Sequence, residues 1–191
     1  MTNVKPKHIF LFFIVSGIGV LAYGCLKFSM MFRPLGDRGA VYETFETANN
    51  TFKVRMTALK EENVYMPGAY LVYESAPVDS NKWREFLAYR TDDAIPIPRE
   101  RFRFLNEQTA YVYLWYDFAL TLDGGRTWKI WKPLFPQSNG QPLYWTITEA
   151  RVEADGTGQA RVESYDEQKK DRVALEIRTE DFGQSWSVVK P

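Results

Sequence analysis

Thr121-Leu122-Asp123-Gly124-Gly125-Arg126-Thr127-Trp128 and Thr179-Glu180-Asp181-Phe182-Gly183-Gln184-Ser185-Trp186 are two copies of one pattern, [ST]-x-D-x-G-x-[TS]-W. The residue types describe a turn. An Asp side chain accepts hydrogen bonds from backbone a few residues on, and a Gly two places later supplies a positive φ at little steric cost. The closing Trp then returns a large apolar ring to the sheet. Thr121, Asp123, Gly125, Thr127 and Trp128, with Thr179, Asp181, Gly183, Ser185 and Trp186, are therefore read as structural residues, and neither Asp as a catalytic or metal-binding group.

This pattern resembles the Asp-box, or bacterial neuraminidase repeat, of propeller proteins. There it joins the two outer strands of a four-stranded blade. The resemblance covers residues 99 to 190 well and 42 to 90 loosely. Ser75 to Trp83 also ends a polar turn in Trp but lacks the Gly, and reads as a degenerate third copy. Trp83, Trp128 and Trp186 are spaced near the roughly 40 to 50 residues of propeller repeats. In flavour the chain is similar to extracytoplasmic propellers of the photosystem assembly factor type. Those close with six or seven blades, whereas 191 residues leave room for two or three. The expectation is mainly β: an open set of two or three blade-like antiparallel units. Sialidases share the repeat, but no catalytic residue carries over to this chain.

Working outward, Thr51 to Leu59 alternates apolar and polar residues as a half-buried strand does, and Ala69 to Glu74 reads as another. Val41 to Ala48 is a poor strand signal. Arg101 to Leu105 alternates, and Arg99, Arg101 and Arg103 would share a strand face as an ion network. Ala110 to Leu120 reads as a strand pair, with Tyr111, Tyr113 and Trp115 on one side and Val112, Leu114 and Tyr116 on the other. A strand apolar on both faces is either sandwiched or holds a partner, so Tyr111, Tyr113 and Trp115 form the candidate interface. Lys129 to Pro142 reads as a connector. Trp145 to Ala154 and Gln159 to Ser164 make a hairpin, Tyr165 to Arg172 a charged hairpin end, and Val173 to Arg178 the strand entering the second turn.

The N-terminus is different in kind. Ile9 to Leu26 carries no charge and, at ~1.5 Å per residue, spans about 27 Å against a hydrocarbon core of roughly 30 Å. Residues 1–32 are read as an uncleaved transmembrane signal anchor, 33–40 as a linker, and 41–191 as the β domain. A cleaved signal peptide and a lipoprotein whose Cys25 becomes lipidated are the competing readings. Gly17 and Gly19 would let a second membrane helix approach closely. The expected location is a bacterial inner membrane, with the N-terminus cytoplasmic and the β domain periplasmic.

Composition narrows the chemistry. Twenty-four basic residues balance 24 acidic ones, so no concentrated basic face points to nucleic acid. The single His and single Cys fall at or within the N-terminal apolar stretch. A His metal site, a Ser-His-Asp triad and a disulfide are thereby closed to the β domain. Asp117, set between Tyr116 and Phe118, is the one carboxylate singled out for acid–base work. The sequon Asn49-Asn50-Thr51 matters only in a eukaryotic secretory setting. No cofactor or metal is expected. The leading expectation is a non-catalytic accessory or assembly subunit of a membrane complex, photosynthetic or respiratory, that contacts other protein subunits. The alternative is an extracytoplasmic binding module, such as a toxin-immunity or glycan-binding protein.

Overall fold

A computed structural model describes residues 39–60, 68–92, 94–136, 140, 142–166 and 169–189. The expected anchor, with Gly17, Gly19 and Cys25, lies outside them, as does most of the linker. Among the described residues no helix is long and apolar enough to cross a membrane.

The chain forms three four-stranded antiparallel sheets in strict chain order, none closed on itself. The first comprises β1 (Ala40–Ala48), β2 (Phe52–Lys60), β3 (Ala69–Pro77) and β4 (Arg84–Thr91). The second comprises β5 (Phe102–Phe104), β6 (Ala110–Leu114), β7 (Asp117–Thr121) and β8 (Lys129–Trp131). A two-stranded ribbon, β9 (Leu134–Pro136) with β10 (Pro142–Tyr144), follows before the third sheet. That sheet holds β11 (Thr146–Val152), β12 (Gly158–Asp166), β13 (Asp171–Thr179) and β14 (Ser187–Val188). The mainly β, antiparallel and open expectation holds, and the described residues form three four-stranded sheets.

Two cores separate the three sheets. Phe52, Val54, Met56, Leu71 and Tyr73 of the first sheet pack with Phe102, Val112 and Leu114 of the second. Tyr111, Phe118 and Leu120 of the second pack with Ile147, Val162 and Ile177 of the third. The doubly apolar β6 is thus sandwiched. Alternation along a strand sends Ala110, Val112 and Leu114 to one core and Tyr111 to the other. Burial of a side chain such as Val112 or Leu114 contributes about 1.5–3 kcal/mol, so the middle sheet stabilises the stack from both faces. On the third sheet the remaining face carries ion pairs, Arg151–Glu153 at 2.6 Å and Arg161–Glu163 at 3.0 Å among them.

Several strands differ from the sequence expectation. Residues 40–48 do form β1, despite weak alternation, because every residue but the bulged Tyr42 pairs with the well-patterned β2. Arg99 and Arg101 sit in a 3-10 turn, not on a strand. Arg99 pairs with Glu43 at 2.7 Å, while Arg101 lies over Tyr113 and Trp115. The connector after Trp128 contains β8 and the ribbon. The ribbon also explains why the Trp128-to-Trp186 interval exceeds the Trp83-to-Trp128 one: it is inserted between the second and third sheets.

Candidate functional site

The two Asp/Gly/Trp turns join the third strand to the fourth in their sheets and share one hydrogen-bond scheme. Thr121 Oγ1 donates to Asp123 Oδ1 at 2.9 Å, and Thr179 Oγ1 to Asp181 Oδ1 at 2.8 Å. Each hydroxyl accepts the Gly N–H four residues on, at 3.0 Å for Gly125 and 2.9 Å for Gly183. Asp123 accepts the N–H of Thr127 at 2.9 Å and its hydroxyl at 2.6 Å, and Asp181 does the same for Ser185 at the same two distances. Partial burial works to raise both carboxyl pKa values, but these hydrogen bonds outweigh it and hold both below the usual Asp range. With its acceptor sites committed to its own turn, neither Asp is placed to act on a substrate.

Each turn reaches back to the preceding sheet. Trp128 stacks on Phe86 of β4, with ring centroids 3.8 Å apart, and donates Nε1–H to Ser75 Oγ at 3.1 Å. Trp186 meets Phe118 of β7 edge-on at 5.3 Å. Gly125 and Gly183, at φ +74° and +89°, let the turns close in: a Cβ there would stand 2.6 Å from the Phe52 ring and 2.5 Å from the Phe118 ring. A second tie runs to the first hairpin turn of the same sheet, Gly124 N–H to Gln108 O at 2.9 Å and Phe182 N–H to Gly156 O at 2.8 Å.

Ser75 to Trp83 occupies the corresponding position in the first sheet and keeps that second tie, Val78 N–H to Thr51 O at 3.2 Å. Pro77 stands where the other turns carry Asp, so the carboxylate scheme is missing. Trp83 lies beneath the Arg55 guanidinium, 4.3 Å from the ring centroid. The first hairpin turns share a device that the Asp/Gly/Trp pattern does not include. Asn49, Asn106 and Asp155 each accept, through Oδ1, the N–H two residues ahead at 2.8–2.9 Å.

A surface groove of about 830 Å³ opens where the β6–β7 turn, the ribbon and the ends of the third sheet meet. Trp115 and Tyr116 form one wall, Leu143 and Tyr144 another, and Thr146, Thr148, Glu163, Tyr165 and Arg172 are among the rest. Its parts are pinned together: Ile147 N–H donates to Trp115 O at 2.6 Å and Trp145 N–H to Pro133 O at 2.8 Å. Tyr144 and Tyr165 are 52% and 54% exposed.

The candidate interface residues separate. Trp115 lines the groove, stacked on Tyr89 at 4.7 Å. Tyr113 is half-buried beside Arg101. Tyr111, only 3% exposed, stacks on Phe118 at 5.4 Å and belongs to the second core; it packs one sheet of this chain on another instead of facing a partner. Asp117 is buried and paired with Lys132 at 2.5 Å, an ion pair that fixes the β7 start. Among the described residues no group of three His, Cys, Asp or Glu could hold a metal. Tyr116, Tyr144, Tyr165 and Arg172 were not read as a site. They come from three separate stretches, and only Tyr165 and Arg172, bracketing the charged hairpin end, left a trace in the pattern.

No protein-family model matches the sequence, and comparison with curated proteins and with solved structures gives no match.

Proposed function

We propose that this chain is a non-catalytic module, tethered to a bacterial membrane by residues 1–32, which serves as an accessory subunit of a larger extracytoplasmic assembly. Its repeated turns are read as Asp-boxes holding three blade-like sheets in an open stack. The observation that carries the reading is the ribbon. Among the described residues β9 and β10 pair as strands with each other alone, outside the three sheets. They are tied to the chain beyond them by Trp145 Nε1–H to Phe135 O at 3.2 Å, and a lone two-stranded ribbon is marginal in water. Leu134 and Tyr144, opposite one another on it, are 50% and 52% exposed. Phe135 anchors the inner side of the ribbon on Trp131 and Trp145, and the exposed apolar pair left between two well-packed sheets is the kind of feature a partner subunit covers.

Gentle extraction from native membranes, native electrophoresis and mass spectrometry test this. The chain is expected to co-migrate with a large complex in fixed stoichiometry. Leu134→Ser, a surface change with little effect on folding, is expected to release it. Migration of the wild-type chain at its own mass plus detergent would overturn the reading.

A further inference from the structure

We propose that the groove at the foot of the ribbon is a binding site for a neutral oligosaccharide. This goes beyond the subunit reading, which rests on the exposed pair Leu134 and Tyr144 of the ribbon; Tyr144 also lines the groove, whereas Leu134 does not.

Size is the first argument. About 830 Å³ lies within the range of concave small-ligand sites, roughly 300–1,000 Å³, whereas partner proteins generally meet over broader surfaces. Lining chemistry is the second. A sugar ring has an apolar C–H face and a rim of hydroxyls, each both donor and acceptor. Tyr116, Tyr144 and Tyr165 offer amphipathic rings that are 39–54% exposed. Thr146, Thr148 and Ser164 add hydroxyls, Glu163 an acceptor-only carboxylate and Arg172 a donor-only guanidinium. Thr148 Oγ1 donates to Arg161 O at 3.1 Å, which leaves its lone pairs for an incoming hydroxyl. Hydrogen bonds to such ionised groups are about twice as strong as neutral ones.

Charge is the third argument. Glu163 and Arg172 are the charged side chains among the described residues of the lining, and Glu163 already pairs with Arg161 outside it at 3.0 Å, so no concentration of one sign selects an ionic ligand. Rigidity is the fourth. The Ile147–Trp115 and Trp145–Pro133 hydrogen bonds hold the walls before any ligand arrives, which lowers the ordering cost of binding. Hydrolysis is not part of the proposal. Glycosidases of the common kind use two facing carboxylates, and among the described residues Glu163 is the single carboxylate in the lining.

The test is isothermal titration of the full chain, held in a zwitterionic detergent free of sugar, with cellotetraose, chitotetraose and maltotetraose. At least one is expected to bind with a dissociation constant of about 1 mM or below. Tyr165→Ala and Arg172→Met are each expected to weaken binding about tenfold or more, roughly the worth of one aromatic or charge-assisted contact, with circular dichroism unchanged. Leu134→Ser should leave sugar affinity intact while releasing the chain from its complex, which separates the two proposals. Absence of binding by all three sugars to the folded chain would overturn the inference, as would full affinity in either groove variant.

Discussion

The turn at 121–128 and the turn at 75–83 occupy the same place in neighbouring sheets, yet they are held by different forces. In the first, a carboxylate gathers four donors and a Trp leaves its own sheet to stack on Phe86. In the second, Pro77 replaces the Asp and Trp83 stays over Arg55, which is itself paired to Glu74 at 2.8 Å. What both retain is the backbone tie to the first hairpin turn. The carboxylate scheme is therefore not required to connect the third strand to the fourth. It shapes a turn whose Trp must reach another sheet, and that is where it occurs, at 121–128 and 179–186.

The largest effect expected from this contrast is on the tryptophans. Trp128→Ala removes the Phe86 stack, the edge contact to Phe52 and the bond to Ser75, and should cost about 3–4 kcal/mol. Trp83→Ala removes a cation–π contact and should cost about 1 kcal/mol. Equal losses in urea unfolding would erase the distinction. Next comes Gly183→Ala, whose added Cβ meets the Phe118 ring at 2.5 Å on a backbone with φ +89°. Overpacking and left-handed strain together predict a loss of about 3 kcal/mol, read from the same unfolding curves. A wild-type midpoint would mean that the turn does not seat against the second sheet.

The carboxylates give a pH signature. Asp123 and Asp181 are held below their unfolded value of about 3.9, so their stabilisation is complete above that pH. It is lost as pH falls through the lower folded values. Asp123→Asn together with Asp181→Asn should shrink the drop in urea midpoint between pH 5 and pH 3, at a cost of about 2 kcal/mol at pH 7. An undiminished acid drop would assign it to other groups. The smallest effect concerns a place where the two box-like turns meet the same backbone demand with different residues. Gly124 at φ +70° corresponds to Phe182 at φ +63°. Phe182→Gly relieves roughly 1 kcal/mol of left-handed strain but gives up the ring's packing on Gly156. A net change within about 0.5 kcal/mol is expected in thermal unfolding, and a loss above 2 kcal/mol would make that ring a principal tie within the third sheet.

What was legible in the sequence was local. Turn chemistry is carried by a few adjacent side chains bonding to nearby backbone, so the turns at 121–128 and 179–186, the strand pair at 110–120 and the hairpin at 145–164 could be read directly. The strand class followed as well. Beta1 and β4 were harder, since their pattern is weak and pairing with β2 and β3 decides them. Asn106–Gln108 and Asp155–Gly158 read as turns, but the Oδ1 bond that they share with Asn49 left no signal, because one polar residue at a hairpin tip is common in any sequence.

The sequence by itself determined the mainly β class and the lack of His and Cys from residues 41–191, because each depends on residue identity and short-range spacing; that the sheets stay open was implied only by the resemblance. Tertiary structure alone decided which face of each strand is core. Tyr111 and Tyr113 lie two apart on one strand, yet burial against the third sheet takes the first and leaves the second half-exposed. It also decided where the groove lies, by bringing Trp115, Tyr144 and Tyr165 together from three elements. No local pattern encodes that meeting. It follows from packing three sheets face to face with a ribbon between the last two.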